Sequence, residues 1–427
     1  MSKRRDVIVV GAGAIGCSIA YHLGRRGISV RVVDRESIAS RASGKAWAVF
    51  TYAPTWVASE RCVETPSEAR EGAPVDVSKT VPGVSVADWL LLHSASYDRM
   101  PELAIELAER GGVDIEYCET PSTHLVTARE LEAAGGPQEL LRPIRAAGGV
   151  EADWIDGDAL RELFPSLNPV YAGGTSTPAG QVEPYRFCLG MAQAAEKLGA
   201  EFRQGEVVDF STRGDAITGV RLASGTLLQA DAVVLASGPW IGTLSARLGC
   251  PIGCRPVFSE CLRAKLPVAL PLHTLGADDF WILPKKNGEV ILATYGVKDF
   301  VDRADFDASL SDETKLAAVQ GVAQILPVLE DATIVEHRGD LLAMAPTPPY
   351  QKPVMGRLPG WRNGYVAARF GGDGVCMSPA AGELMAELID TAREPLRARR
   401  MFECLAPASA GRSWRARPEL PLGSRGR

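Results

Sequence analysis

The first 34 residues constrain the fold more than any other part of this 427-residue chain. A short apolar run, Val7-Ile8-Val9-Val10, predicts a buried parallel strand. It leads directly into Gly11-Ala12-Gly13-Ala14-Ile15-Gly16, and the next residues predict a helix that ends near Gly27. A second strand follows and closes with Asp34. This order of strand, glycine turn, helix and strand predicts the first unit of a doubly wound α/β domain.

Each glycine of the turn has a physical role in binding a dinucleotide. Gly11 permits the tight turn, Gly13 lets a pyrophosphate approach the backbone, and Gly16 lets the helix pack closely on the strand. The helix N-terminus offers N–H groups and a partial positive charge to the phosphates. Asp34 can accept hydrogen bonds from the ribose diol of an adenosine. The alternative is a glycine turn that binds no nucleotide, and the flanking strand, helix and acid argue against it.

A small, polar loop follows this acid. It consists of Ser40-Arg41-Ala42-Ser43-Gly44-Lys45-Ala46-Trp47. Such a loop can fold its backbone around a pyrophosphate and lay a side chain along a flat ring. The alternative is an ordinary surface loop. The position of this loop directly after Asp34 favours a role in binding the cofactor.

Length and composition exclude several classes of protein. A chain of 427 residues is longer than one hydrophobic core usually supports, so we expect two domains or one large interleaved pair. The net charge of -6 gives no indication of nucleic-acid binding. No apolar run is long enough to form a transmembrane segment, and no signal-peptide core follows Met1–Arg5, so we expect a cytoplasmic protein. The nine cysteines lack metal-binding spacing, which favours reduced thiols and no metal site.

Several further segments have a predictable structure. The stretch from Val86 to Gly111 is periodic like a helix, with Pro101 as a candidate break. A helix is predicted from Pro184 to Leu198. Three short strands then predict a β-meander: 201–203, 206–210 and 219–222. Polar residues at 61–82 predict an exposed excursion, and the arginine-rich residues 408–427 a disordered basic tail.

Two further glycine-containing turns lie in the second half of the chain. Ala232 to Ala236 predicts a buried parallel strand before Ser237-Gly238-Pro239-Trp240. Later, Gly371-Gly372-Asp373-Gly374-Val375 precedes a helix predicted from Ala380 to Ile389. The positive end of such a helix can face an anion. Asp373 is expected to cap this helix, with binding of a cationic amine as the alternative.

With these segments in order, the chain resembles the FAD-dependent amino-acid oxidase (DAO) family, which contains D-amino-acid oxidase, glycine oxidase and sarcosine oxidase. The resemblance covers roughly Asp6 to Ile389. It rests on the opening glycine turn, the Ser43-Gly44 loop, Gly205-Glu206-Val207-Val208, the run from Val233 to Trp240, and the closing glycine turn with Ser378-Pro379-Ala380-Ala381-Gly382. It implies a mixed α/β fold, in which a doubly wound, Rossmann-type FAD-binding domain interleaves with a mixed β-sheet substrate domain.

The resemblance also implies domain boundaries and roles for residues. The FAD-binding domain would comprise 1–112, 181–250 and 341–391, and the substrate domain 113–180 and 251–340. The flavin carries the redox chemistry, and the protein places a substrate C–H bond over its N5 atom. The implied FAD-binding residues are Gly11, Gly13, Ala14, Ile15, Gly16, Asp34, Arg35, Ser43, Gly44, Lys45, Ala46, Trp47, Val208, Gly238, Gly371, Gly372, Asp373, Gly374 and Val375.

The chain departs from relatives at positions that hold a substrate carboxylate. Sarcosine-oxidase-like members have an arginine where this chain has Trp47-Ala48-Val49-Phe50, and a lysine where it has Cys376. The strand Glu289 to Thr294 lacks the lysine that helps oxygen react. These departures predict slow reoxidation by air and a substrate larger than glycine that bears an amine. The cysteine that tethers flavin in that branch has no match, so FAD is expected to be non-covalent.

Candidate catalytic residues come from the substrate domain. They are Tyr295, His337 and Arg338. Arg338 lies nearest to the position at which relatives have Gly-Leu-Arg-Pro. Lys285 is a second cation that could hold the substrate carboxylate. His273 is a further candidate, whereas His22 is expected at the surface.

Three hypotheses for the function remain open. The first is an oxidoreductase that transfers hydride from a C–N bond of an amine or amino acid to FAD, with oxygen or another molecule as electron acceptor. The second is a 2-hydroxy-acid dehydrogenase of the same fold, since a fold does not determine the substrate. The third is a flavoprotein subunit or assembly factor. The first two predict a small-molecule substrate, and a stable protein partner without turnover would favour the third.

Overall fold

The computed structural model describes residues 6–51, 86–148, 151–277, 279–294, 301–302, 304–346 and 353–392. The excursion predicted at 61–82, the basic tail predicted at 408–427 and the candidate Tyr295 lie outside these residues.

Nineteen strands and ten α-helices are assigned within this part of the chain. The strands are β1 Asp6–Val10, β2 Ser29–Asp34, β3 Val49–Thr51, β4 Cys118–Thr127, β5 Asp153–Asp156, β6 Tyr171–Gln181, β7 Glu201–Gln204, β8 Val207–Arg213, β9 Ala216–Leu222, β10 Leu227–Gln229, β11 Ala232–Leu235, β12 Arg255–Lys265, β13 Thr274–Ala277, β14 Phe280–Pro284, β15 Glu289–Thr294, β16 Val301–Asp302, β17 Thr333–Met344, β18 Val354–Arg357 and β19 Gly364–Ala368. The helices are α1 Ala14–Arg25, α2 Ala42–Lys45, α3 Val86–Glu106, α4 Ala128–Ala134, α5 Pro137–Gly148, α6 Gly157–Leu163, α7 Pro184–Lys197, α8 Ile241–Arg247, α9 Asp312–Ile325 and α10 Gly374–Thr391.

The first sheet is the doubly wound core that the opening sequence predicts. Its strand order is β18-β19-β11-β1-β2-β7, and all neighbours are parallel except β18 and β19. Residues Val7 to Val10 are at most 5% exposed, because apolar clusters cover both faces of the sheet. One cluster contains residues of α1, α7 and α10, and the other contains residues of β8, β9 and α8. This explains why Val7 to Val10 are apolar at every position.

One strand of the predicted meander belongs elsewhere. Strands β8, β9 and β10 form a three-stranded antiparallel sheet. Strand β7, predicted as its first strand, instead pairs in parallel with β2 at the edge of the first sheet. The tertiary reason is that Phe202 packs against the core beneath α1 and α7. That prediction was therefore wrong for 201–203.

The second sheet carries the other wall of the site. Its strand order is β16-β12-β15-β14-β13-β4-β6-β3, with β17 paired to β12 and β5 paired to β6. One face packs against α9 through Leu262, Leu275 and their neighbours. The opposite face carries Cys261, Leu283, Ile291 and Ala293, on which Trp47 packs. Strand β3 belongs to this sheet although it lies within 1–112, and the domain boundaries stay predictions.

Two of the helices that contain an internal proline, α3 and α10, differ from their sequence predictions. Helix α3 continues through Pro101, and α10 starts at Gly374 rather than Ala380, so Pro379 lies inside it. A proline lacks the N–H that would bond to the carbonyl four residues earlier. At Pro379 that carbonyl belongs to Val375, and it accepts a hydrogen bond from the Ser378 hydroxyl at 2.8 Å instead. The local side chain thus satisfies the turn, and the helix begins directly at the glycine turn.

The prediction that His22 lies at the surface is wrong. Its exposed fraction is 3%, because α1 packs against both α7 and α10 and is buried nearly all round. Burial lowers the pKa of His22 to about 4, since the charged imidazolium is disfavoured away from water.

Candidate active site

A long cleft lies at the carboxyl ends of the parallel strands, where ligands bind in open α/β sheets. It consists of two adjoining cavities with about 1460 and 1150 Å³ of empty space. They share five wall residues, namely Ala42, Ser43, Leu342, Gly371 and Gly374, so they form one elongated space. We call them the nucleotide cavity, next to the first glycine turn, and the sheet cavity, next to the second sheet.

The glycine turn has the close contacts that its sequence predicts. Gly11 has a φ of +110°, and a Cβ there would lie 2.4 Å from the Ala236 carbonyl oxygen. A Cβ on Gly16 would lie 1.9 Å from the Gly11 carbonyl oxygen. Both positions exclude a side chain, because backbone atoms occupy its space. Gly13, at the wall of the nucleotide cavity, has only the Ser43 side chain nearby.

Asp34 braces this turn as well as lining the cavity. Its Oδ2 accepts a hydrogen bond from the Ala12 N–H at 2.8 Å, and its Oδ1 accepts one from the Glu36 N–H at 2.9 Å. The Ser43 hydroxyl oxygen accepts from the Ala14 N–H at 3.0 Å, which links the polar loop to the start of α1. Each carboxylate oxygen can accept more than one bond, so Asp34 retains capacity for a ribose hydroxyl.

Most of the residues predicted to bind the dinucleotide line the nucleotide cavity: Gly11, Gly13, Ala14, Ile15, Asp34, Arg35, Ser43, Val208, Gly238, Gly371 and Gly374. Gly16 and Gly44 do not, and a Cβ on Gly44 would lie 2.1 Å from the Ala39 carbonyl oxygen, so Gly44 serves the packing of the loop.

The sequence interpretation missed Trp240 and Arg369, which also line this cavity. The Arg35 guanidinium lies 3.8 Å from the centre of the Trp240 ring. The Ser-Gly-Pro-Trp run after β11 was the available signal for Trp240.

The sheet cavity brings together three separate parts of the chain. The polar loop contributes Lys45, Ala46 and Trp47, and the closing glycine turn contributes Gly371 to Val375. The second sheet contributes polar and aromatic side chains that the sequence did not single out. These are Ser122, Cys261, Thr274 and Trp281, together with the predicted Arg338.

The backbone between α2 and β3 is held at every carbonyl. We call residues 45–49 the clamped loop. The five donors come from the second sheet, the loop before α7, and α10, which lie far away in sequence. The Lys45 carbonyl accepts from Cys261 Sγ at 3.9 Å, and the Ala46 carbonyl accepts from Arg338 Nη2 at 3.1 Å. The Trp47 carbonyl accepts from Lys285 Nζ at 2.6 Å, and the Ala48 carbonyl accepts from the Val182 N–H at 3.2 Å. The Val49 carbonyl accepts from Cys376 Sγ at 2.7 Å.

A buried carboxylate fixes the side chains that precede this loop. Asp340 is 3% exposed and lies on β17. Its Oδ2 accepts from Lys45 Nζ at 2.7 Å, and its Oδ1 lies 3.2 Å from Arg41 Nη2. The Leu341 N–H also donates to Oδ1 at 2.8 Å. Asp340 therefore joins the polar loop to the second sheet through two charge-assisted contacts.

Arg338 is the buried cation of the sheet cavity. It is 5% exposed, and its Nη1 lies 3.7 Å from the Glu336 carboxylate. Among the described residues, its buried Nε has no hydrogen-bond partner, and neither has the buried hydroxyl of Thr274 in the same wall. A buried polar group without a partner is costly, so these atoms indicate where a polar ligand binds.

The structure does not bring the two histidine candidates into the cavity. His337 and Arg338 are neighbours on β17, so their side chains lie on opposite faces of the sheet. His337 Nε2 lies 2.8 Å from the Glu260 carboxylate on the face towards α9. His273 Nε2 lies 2.6 Å from the Thr123 hydroxyl, and burial lowers the pKa of His273 to about 4. Neither histidine is among the residues that line the two cavities, and their roles as site residues stay predictions.

Asp373 does not cap helix α10. It occupies the N-cap position, but its side chain makes no capping hydrogen bond. Its Oδ2 lies 3.8 Å from Nε2 of the buried His93 on α3, and the residue lines the sheet cavity. With a φ of -99° and ψ of 12°, Asp373 lacks the extended backbone of a usual N-cap, which is the physical reason.

The cleft suits an elongated dinucleotide with a flat ring system at one end. Its nucleotide end has the glycine turn and the start of α1, which accommodate a pyrophosphate. Where the cavities meet, Gly372 has no atom within 4 Å of a Cβ position, which leaves space beside the backbone at the start of α10. In the described part of the chain no group of three or more metal-ligating side chains could hold a metal ion.

Comparison with protein families decides the identity of this fold. The model of the FAD dependent oxidoreductase family (DAO) matches residues 6–388. The chain belongs to this family. FAD is its cofactor, and the residues that line the cleft are consistent with that ligand. Among the described residues, no helix combines the length and apolar character needed to cross a membrane.

Individual relatives cover nearly the whole chain. The glycine oxidase of Geobacillus kaustophilus (strain HTA426) is 29% identical over 395 residues, which are 91% of this chain and 94% of the relative. A D-amino acid dehydrogenase of Cereibacter sphaeroides (strain ATCC 17029 / ATH 2.4.9) is 27% identical over 418 residues, 90% and 91% of the two chains. The crystal structure of glycine oxidase from Bacillus cereus ATCC 14579 superposes with a TM-score of 0.76 at 25% identity, covering 92% and 96%. The protein is thus an FAD-dependent oxidoreductase.

Proposed function

We propose that the protein oxidises the C–N bond of a substrate that carries a carboxylate, such as an amino acid, with transfer of hydride to flavin N5. Bound FAD supplies the two-electron acceptor for this chemistry. The observation that carries the proposal is the buried Arg338, which lines the sheet cavity and has an unpartnered Nε. A carboxylate is the anion that a guanidinium binds with matched geometry.

The protein's own groups would hold the substrate in place. Arg338 would bind the carboxylate, and the unpartnered Thr274 hydroxyl would add a second hydrogen bond from the same wall. Asp373 would lie near the amine, since its Oδ2 has no hydrogen-bond partner among the described residues and it belongs to the glycine-turn part of the same cavity. A cation on one side and an anion on the other match the charges of a zwitterion.

The substrate class is tested by bleaching of the flavin without oxygen. The panel contains glycine, sarcosine, D- and L-amino acids, and for each acid the matched decarboxylated amine and 2-hydroxy acid. We expect bleaching by amino acids. Bleaching by the hydroxy acids alone would establish the alternative, a C–OH dehydrogenase. No bleaching by any compound, together with a stable protein partner, would instead favour a subunit or assembly role.

Arg338 is tested with the same assay. In R338A, the amino-acid concentration for half-bleaching should rise about 10- to 100-fold, because a charge-assisted hydrogen bond is lost. The matched amine should be affected far less. The control R362A removes an exposed arginine that pairs with Asp215 at the surface. Equal effects of R338A on the amino acid and on the amine would contradict a carboxylate-binding role.

The electron acceptor and the size of the substrate belong to the same proposal. Strand β15 lacks a lysine, as noted from the sequence, but Lys45 and Arg338 give the sheet cavity two cationic side chains. Relatives include an oxidase and a dehydrogenase by name.

Slow reoxidation of the reduced flavin by air stays our prediction, and a stopped-flow rate matching efficient oxidases would reject it. Efficient turnover of sarcosine or glycine would reject a substrate larger than these.

A further inference from the structure

Lys285 has a structural position that the proposed reaction does not use. It follows β14, and its Nζ donates to the Trp47 carbonyl at 2.6 Å and to the Val182 carbonyl at 3.2 Å. The Val182 N–H in turn donates to the Ala48 carbonyl at 3.2 Å. Lys285 and Val182 therefore close a small ring of hydrogen bonds around two consecutive peptides of the clamped loop.

The loop needs this support because one of its residues is strained. Ala48 has a φ of +57°, in the left-handed region that costs a residue with a Cβ about 1–2 kcal/mol. Such a conformation persists only where surrounding contacts hold it. The contact on the preceding carbonyl is Lys285, and the contact on Ala48 itself is Val182.

The held carbonyls also determine where the amides of the loop are directed. In a trans peptide the C=O and N–H groups are antiparallel. Since the carbonyls of Ala46 and Trp47 are bound to Arg338 and Lys285, the next two N–H groups are directed away from these cations. A cation on the carbonyl also polarises its peptide and strengthens the N–H as a donor. Trp47 and Ala48 both line the sheet cavity.

We propose that Lys285 is a positioning residue, which holds the Trp47-Ala48 peptide in its strained conformation at the wall of the sheet cavity. It touches neither substrate nor cofactor and acts through the loop. The proposal depends on FAD binding but not on the substrate class, so it can fail or succeed independently of the proposed reaction.

The charges around Lys285 make its contact sensitive to pH. Burial, and to a smaller extent the nearby Arg338, lower the pKa of Lys285 to about 7. Glu183 before α7, Cys118 on β4 and Cys261 on β12 act in the opposite direction. The ammonium is therefore present below about pH 7 and is lost above it, which weakens its hold on the two carbonyls.

The test uses FAD-loaded K285M, K285R and wild-type protein, with K286M as the matched control at the exposed neighbouring residue. The first readout is hydrogen exchange of the amides at 46–50, corrected for its intrinsic pH dependence. The second is the visible absorption spectrum of the flavin across pH. In K285M we expect exchange about tenfold faster and a shifted spectrum. K286M should match the wild type.

The pH dependence separates positioning from a general loss of stability. The wild type should show a transition near pH 7 in both readouts, and K285R should show none, because arginine stays charged. Exchange in K285M within about twofold of the wild type would overturn the proposal. If K285M does not fold, the wild type and K285R decide the question. The proposal would be overturned if the wild type showed no pH transition, or if the transition persisted in K285R.

Discussion

Replacing Asp340 by asparagine should destabilise the protein strongly, although the two side chains have nearly the same shape. The Asp340 side chain is 1% exposed and contacts Lys45 at 2.7 Å and Arg41 at 3.2 Å. The variant leaves Lys45 without its counter-charge, and Arg41 keeps only the Glu36 carboxylate at 3.5 Å. A hydrogen bond to a charged group contributes about 1.5–3 kcal/mol, so two give about 3–6 kcal/mol.

Partial solvation reduces this figure. The side chains of Lys45 and Arg41 are 36% and 34% exposed, so water can rehydrate them in part. We therefore expect D340N to lose about 3 kcal/mol of the free energy of unfolding, the lower end of the range for breaking a buried ion pair.

The matched control is D215N. Asp215 pairs with Arg362 at 2.9 Å, but their side chains are 59% and 63% exposed. An exposed pair of this kind contributes about 0–1 kcal/mol.

Urea unfolding of the FAD-loaded proteins measures both variants. Flavin fluorescence and far-UV circular dichroism are followed together, since coincident transitions are needed to derive a free energy. The affinity for FAD should also fall in D340N, because Asp340 holds the loop that lines both cavities. A loss in D340N as small as that in D215N would refute the argument that burial makes the Asp340 contacts strong.

Four further predictions follow from single residues and from the cofactor. In G11A, a Cβ would lie 2.4 Å from the Ala236 carbonyl oxygen, so we expect little bound flavin in the purified protein. D34A should weaken FAD retention by about 1–3 kcal/mol, and unchanged affinity would remove Asp34 from the site. Because the pKa of buried His22 is lowered to about 4, the free energy of unfolding should fall by about 3 kcal/mol as the pH falls from about 6.5 to 4. Thermal melting of H22Q should lack this part of the pH dependence. Acid or heat should release FAD, and flavin that stays with the precipitate would contradict non-covalent binding.

Local sequence determined the nucleotide half of the cleft. The turn at Gly11 requires a positive φ, and Gly16 must fit against the Gly11 carbonyl oxygen five residues earlier in the chain. Because such constraints are local, the first strand, helix and second strand could be predicted in their order. The continuous apolar character of Ala232 to Ala236 likewise predicted its place between parallel strands.

Predictions failed where one residue's environment depended on distant packing. His22 has an ordinary helical sequence context, and only the packing of α1 between two helices buries it. His337 and Arg338 were equal candidates, and the pairing of β12 with β17 directs one to each face of the sheet. A shift of one residue in that register would exchange them.

The clamped loop is the part that tertiary structure alone decided. Lys285 is 238 residues from Trp47 in sequence, and Asp340 is 295 residues from Lys45, yet both hold the loop directly. The residue types of 45–49 allow many loop conformations, since no glycine or proline restricts them. The conformation is selected by donors on a second sheet, and their positions follow from strand pairings that no local pattern specifies.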